Sequence, residues 1–144
     1  MLSTHSWLPW ALGSAVFAAM TAILAKVGLE GIDSDFATLI RTAVIVVVLG
    51  AFVGLTDKWR NPMLLPVRST TFLVLSAFAT GASWVCYFRA LKIGEASKVA
   101  PVDKLSVVLV AIFAVVFLGE RPVGREWLGI ALVALGVLVL SFRR

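Results

Sequence analysis

Thiol and imidazole are almost missing from this sequence: Cys86 is the single cysteine and His5 the single histidine in 144 residues. One cysteine cannot close an internal disulfide, and inside an apolar run it is expected to serve as a small packed residue. One histidine near the N-terminus cannot assemble a metal cluster, so no metal is expected. There is no glycine-rich phosphate loop followed by Lys and Ser or Thr, no His-Glu-x-x-His and no serine with a plausible histidine partner. These absences argue against an enzyme and against a cofactor. Charge is scarce as well, at 15% of residues. No Lys or Arg precedes Lys26, so the basic n-region of a signal peptide is missing and the first apolar run is expected to be retained.

What fills the space is apolar. Hydrophobic residues make up 60% of the chain and the mean hydropathy is +1.01, more than a water-soluble domain can hide in its core. A bilayer core about 30 Å thick needs roughly 20 helical residues, whereas a membrane barrel shows alternating segments of about 10. The runs here are long and do not alternate. They predict an all-α integral membrane protein, one unit over residues 1–144, with five spans at about Trp7–Leu29, Phe36–Leu55, Thr70–Leu91, Ser97–Leu118 and Glu126–Phe142. The odd number places the N- and C-termini on opposite faces.

The connections carry turn chemistry: "EGIDSD" supplies Gly31 and an aspartate cap for span two, "TDKWRNP" a polar break, and "GERPVGRE" the separation of spans four and five. Trp7, Trp10, Trp59 and Trp127 fall near span ends, where amphipathic rings favour the interface, and Trp84 does not. The net charge of +5 resides mainly between the spans, where it meets lipid headgroups, so no nucleic-acid partner is expected.

Ionisable residues within spans are the informative ones, because each costs about 2.5–3.5 kcal/mol at mid-helix unless paired or hydrated. They are Arg41, Asp103 and Lys104. Counted from the heads of spans two and four, Arg41 and Asp103 both lie about 9 Å deep from the same face, and Trp84, near the end of span three, lies at a comparable level. Trp84, Tyr87 and Phe88 share one side of span three, which serves either packing or a binding surface. If span four began at Pro101, Asp103 would simply favour a helix N-terminus and Lys104 would snorkel. Leu105–Leu118 alone is too short to cross, however, so span four is expected to reach back to Ser97. Pro101 is then inside it and should bend or open its first turns. Glu95 and Glu120, at span ends, are expected to be solvated.

From Arg89 to Ser141 the sequence runs "RALKIGEASKVAPVDKLSVVLVAIFAVVFLGERPVGREWLGIALVALGVLVLS". It resembles the EamA type of the drug/metabolite transporter superfamily: a small-residue loop, a proline-bearing fourth helix closing on "FLGE", then a glycine-spaced last helix. Weaker similarity, including "WALGSAVFAA" in span one, extends over most of the chain. The resemblance implies export or exchange of small metabolites, amino acids or drugs across the bacterial inner membrane, often driven by protons. Members usually carry two five-helix units, and this sequence has one. The first-helix glutamate of the related small multidrug resistance proteins has no counterpart, since residues 7–25 contain no acid.

A single unit needs a partner to enclose a path. Span five holds Gly129 and Gly136 on one stripe, which permits close helix approach in lipid and resembles the dimerisation motif of the small multidrug resistance proteins, or else packs within one subunit. One face carries Lys58, Arg60, Arg68, Arg121 and Arg125, the other Lys26, Arg89, Lys92, Lys98, Arg143 and Arg144, so 5 cations oppose 6. Nothing then fixes orientation by the positive-inside rule, and two oppositely inserted copies would recreate an inverted-repeat transporter.

The expectation is an antiparallel homodimer moving small organic solutes by alternating access, with a non-transporting assembly subunit as the alternative. Because neighbours on a helix point about 100° apart, Asp103 is expected to turn to Arg41 and Lys104 to face the dimer axis near Trp84, favouring an anionic or carboxylate-bearing ligand.

Overall fold

A computed structural model describes residues 7–141; Ser3, His5, Phe142, Arg143 and Arg144, and the expectations that touch them, lie outside. Among the described residues there are helices and no strands. They are α1 (Leu8–Gly28), α2 (Ser34–Leu55), α3 (Val67–Ile93), α4 (Ala96–Asp103), α5 (Ser106–Phe113) and α6 (Gly124–Ser141), with a short 3₁₀ turn at Pro62–Leu64. Five segments are long and apolar enough to span a bilayer: α1, α2, α3, the combined Ala96–Leu118, and α6.

Apolar side chains point outward along every span. Val47 is 71% exposed, Phe78 75%, Val116 66% and Val139 74%, a surface that only lipid or another membrane chain can cover. All five expected spans are present, with ends moved by a few residues.

The caps explain where spans start and stop. Asp33 holds an extended backbone and its Oδ1 accepts from the amides of Asp35 (2.9 Å) and Phe36 (3.0 Å), so α2 begins at Ser34, two residues before the sequence suggests. Gly31, just ahead, has φ +73°. At the other end Asp57 adopts φ +51°, and the Lys58 amide reaches back to the Val53 carbonyl at 3.2 Å, the closing bond of a Schellman turn. α6 is entered through the Val123 amide, which donates to the Glu126 carboxylate at 2.8 Å, half of a capping box.

The chain divides into two compact units, one of the residues up to Ile23 with those from Gly94 onward, the other of Leu24–Ile93. In the second, α2 and α3 run antiparallel side by side, with Leu29, Phe88 and Leu91 buried. The end of α1 is tied to this pair through Lys26 Nζ, which donates to the Leu91 carbonyl at 2.6 Å, and the α1–α2 connection through Lys92 Nζ, which donates to the carbonyl of Ile32. In the first unit α6 packs along α4 and α5, with Ala22, Ala114 and Val137 buried.

The fourth span is broken. α4 starts at Ala96, not at Pro101, and contains the proline. The break falls at Lys104–Leu105, later than the expected opening in the first turns. The carbonyl that Pro101 cannot bond is that of Ser97 in the exposed first turn, where water or headgroups can serve it, so no opening is required there. One turn on, the amides of Lys104 and Leu105 bond carbonyls three residues back, those of Pro101 and Val102, each at 3.0 Å, a tight 3₁₀ step. The span then ends in a π turn, Ala114–Leu118, closed by Gly119 at φ +69°.

Candidate functional site

Arg41 is half-buried on α2, facing α3. Its guanidinium carbon lies 4.4 Å from the centre of the Trp84 ring and 5.3 Å from that of Phe88, both within cation–π range. Trp84 and Phe88 are four residues apart and so stand one above the other on the same helix face. Tyr87 meets Phe88 edge-on, with ring centres 6.4 Å apart. The expected level match between Arg41 and Trp84 is thus a direct contact, and Phe88 supplies a second ring.

An arginine at such a depth costs about 2.5–3.5 kcal/mol, and two ring contacts return about 0.5–2 kcal/mol each. The platform offsets much of the cost without touching the N–H groups. Among the described residues no carboxylate forms an ion pair with Arg41, and the Tyr87 phenol interacts with it electrostatically.

Beside this platform a groove of about 680 Å³ runs between α2 and α3, with Asp35 at its α2 head, Thr38, Thr42, Ser76 and Thr80 on its walls, and Trp84 on its α3 side. The remaining lining is aliphatic or glycine. The three threonine hydroxyls donate to their own helices: Thr38 to the Ser34 carbonyl (2.8 Å), Thr42 to that of Thr38 (2.8 Å) and Thr80 to that of Ser76 (2.9 Å). They therefore offer the groove methyl groups and acceptor lone pairs. Asp35 is engaged as well, gripped by Arg89 through two parallel bonds of 2.9 and 2.6 Å.

Sequence reasoning passed over this groove and this ion pair. Thr38 with Thr42, and Ser76 with Thr80, stand four residues apart on otherwise apolar helices; that spacing is the signal that could have revealed the walls.

In the other unit, Asp103 is the last residue of α4 and Lys104 its C-cap. Lys104 Nζ lies 3.4 Å from Asp103 Oδ2. This corrects the expectation that Asp103 and Lys104 point apart and do not pair with each other. Neighbouring Cβ atoms on a helix point apart, but Lys104 is the exposed C-cap, and its long side chain reaches back to the carboxylate of the residue before it. The contact is long and exposed, so it holds the two charges only loosely. Lys104 also sits beside the last carbonyls of α4, where the helix dipole favours a cation. Glu95 pairs with Lys98 at 3.0 Å at the span head.

Along α6, a Cβ added at Gly129 or Gly136 would meet nothing within 4 Å among the described residues. Among the described residues no group of His, Cys, Asp and Glu is placed to hold a metal.

No solved structure matches the chain. It is 57% identical, over 138 residues, to a protein of Sinorhizobium named as an uncharacterized transporter in the cobO 3' region, which covers 96% of this chain and 98% of that relative. It is 28% identical over 85 residues to a protein of Yersinia pestis (strain Pestoides F) named as probable 4-amino-4-deoxy-L-arabinose-phosphoundecaprenol flippase subunit ArnE, covering 58% of this chain and 75% of that protein. The model of the EamA-like transporter family matches residues 5–142. With five spanning helices and almost its full length matched, this chain belongs to the EamA-like transporter family.

Proposed function

We propose that this protein is a secondary transporter, an exporter or exchanger of small organic metabolites or drugs in the bacterial inner membrane, working by alternating access as an antiparallel homodimer. The observation that carries the reading is the break in the fourth span with Asp103 and Lys104 at it. Irregular backbone at membrane depth is tolerated where it lines a cavity, and discontinuous helices with ionisable groups at the break form substrate and ion sites in transporters.

Asp103 and Lys104 in the unit of the fourth span, and Arg41, Trp84 and Tyr87 in the unit of α2 and α3, are the residues that bind substrate or couple transport. The cations favour an anionic or carboxylate-bearing solute. The open face of Gly129 and Gly136 on α6 gives a second copy a place to approach closely. The near-balance of cations on the two faces favours insertion in both orientations. The Sinorhizobium relative, named as a transporter, is matched over nearly its whole length and so is also of single-unit size.

The word subunit in the ArnE name favours a second reading, in which the chain assembles with a different membrane protein and does not transport alone. A thermal-shift screen of metabolites on the purified protein separates the two. Saturable stabilisation by one chemical class is expected for a transporter; a response appearing only after a partner chain is added supports the subunit reading.

Orientation is tested in intact cells after Cys86→Ser removes the native thiol, with single cysteines placed at Ser3 or at an added C-terminal position. Impermeant maleimide should reach each terminus in part of the population. Labelling of one terminus alone contradicts dual insertion.

A further inference from the structure

We infer that Arg41, held on Trp84 and Phe88, is the anion-binding subsite of an amphipathic ligand, whose apolar body lies in the α2–α3 groove. The inference rests on the transporter reading only in calling that ligand a substrate.

Three observations lead to it. The guanidinium is held in place by ring faces at 4.4 and 5.3 Å, contacts that orient the fork while leaving its N–H edges to another partner. A buried or half-buried guanidinium is best satisfied by a bidentate carboxylate or phosphate; among the described residues no carboxylate forms an ion pair with it, and the Tyr87 phenol is the polar group that interacts with it electrostatically. The carboxylate on the same helix, Asp35, is already held in two bonds by Arg89, so it does not compete.

The groove supplies the rest of the ligand's description. Trp84 lines it and carries Arg41 on its ring. Arg41 does not itself line the groove; Thr38 and Ile45, three residues before and four after it, mark the near edge, so the guanidinium adjoins that edge and meets the groove through Trp84. The wall threonines give their protons to their own helix carbonyls and cannot solvate an anion without breaking those bonds. With three of the four wall hydroxyls so engaged, Arg41 is the nearby cation for the head of an anion entering here, while the aliphatic walls of a volume near 680 Å³ accept a chain or ring. Neither a bare inorganic anion nor an apolar cation fits both parts.

Titration calorimetry on the full-length protein in a neutral detergent tests this with defined probes: octyl phosphate and octanoate as amphipathic anions, octyltrimethylammonium and octanol as charge controls, and inorganic phosphate as the head alone. Both amphipathic anions should bind about tenfold or more tighter than octanol or the ammonium probe. Inorganic phosphate should bind more weakly than octyl phosphate. Arg41→Met should remove the preference for anions and leave octanol binding, which also reports that the variant is folded. Arg41→Lys, which keeps the charge but loses the fork, should recover only part of it.

A Cβ at Gly81 meets nothing within 4 Å among the described residues, so Gly81→Leu can fill the groove. It should weaken the octyl probes and spare inorganic phosphate. Equal affinity of the unaltered protein for the octyl anion and the octyl ammonium overturns the inference, as does an Arg41→Met variant that keeps the anion preference. Inorganic phosphate binding as tightly as octyl phosphate removes the groove from it. Failure here is distinct from failure of the transporter reading: flux of a cationic or neutral solute without anion binding leaves transport standing, and anion binding without flux of any solute does the reverse.

Discussion

Replacing Arg41 by methionine separates what this residue costs from what it does. The guanidinium lies seven residues inside a spanning helix, where insertion costs about 2.5–3.5 kcal/mol, somewhat less for a residue short of the bilayer centre. Against this stand two cation–π contacts. The one at 4.4 Å to Trp84 is worth about 1–2 kcal/mol and the longer one, 5.3 Å to Phe88, about 0.5–1. The difference leaves the arginine near neutral to about 1 kcal/mol unfavourable. Methionine, of similar length and apolar, incurs no insertion cost and still packs against both rings.

Arg41→Met should therefore leave the folded state as stable as before, or about 1 kcal/mol more stable, while removing function; a charge retained at a stability cost is a mark of a working site. The assay is equilibrium unfolding of the purified protein in mixed micelles by SDS titration, followed by helical circular dichroism. Combining Arg41→Met with Trp84→Phe should give a coupling energy of about 1 kcal/mol, and with Phe88→Leu about half of that. A loss of more than about 2 kcal/mol in Arg41→Met alone would refute the reasoning, because it would mean that the guanidinium is held by an acceptor as well as by the rings.

Asp33→Ala removes the acceptor of two amides at the head of α2 and should cost about 1 kcal/mol in the same titration, with Asp33→Asn recovering most of it. Gly119→Ala forces a side chain into the left-handed conformation at φ +69° and should cost about 1–2 kcal/mol even though the Cβ has room. Pro101→Ala restores an amide that can bond the Ser97 carbonyl, so spin labels at Ala96 and Val110 should report a more regular span four. Transport should fall severalfold, whereas an unchanged rate would make the proline purely structural.

The spans and their caps were legible because lipid imposes a simple rule: every backbone group is satisfied within a helix, so length and polarity mark the boundaries. Gly31 and Asp33 declared the entry to α2 within three residues. Span four shows the limit. A proline, an aspartate and a lysine announced trouble there, but the break came a turn beyond the proline, because the loss of one bond in a first turn leaves the next turn to take up the change of direction. That displacement put Asp103 and Lys104 at a helix end instead of inside one, and brought the pair together.

Depth counting brought Arg41 and Trp84 to one level correctly, since rise per residue is fixed. It could not reveal that Phe88 completes the platform or that Arg89 takes Asp35, since both depend on how α2 and α3 are rotated about their axes. The groove was missed for a similar reason: its threonines are unremarkable one at a time, and only the facing of two i, i+4 pairs makes a wall.

The most direct test of the account is counterflow in liposomes that contain this protein alone, with solutes taken from the class that stabilises it. Uptake should be saturable, should require the same solute inside, and should vanish in Lys104→Ala while cross-linking through Gly129→Cys still yields the dimer. Uptake no greater than that of empty liposomes for every stabilising solute would contradict the transporter reading, and full uptake in Lys104→Ala would contradict the placing of its site at the broken fourth span.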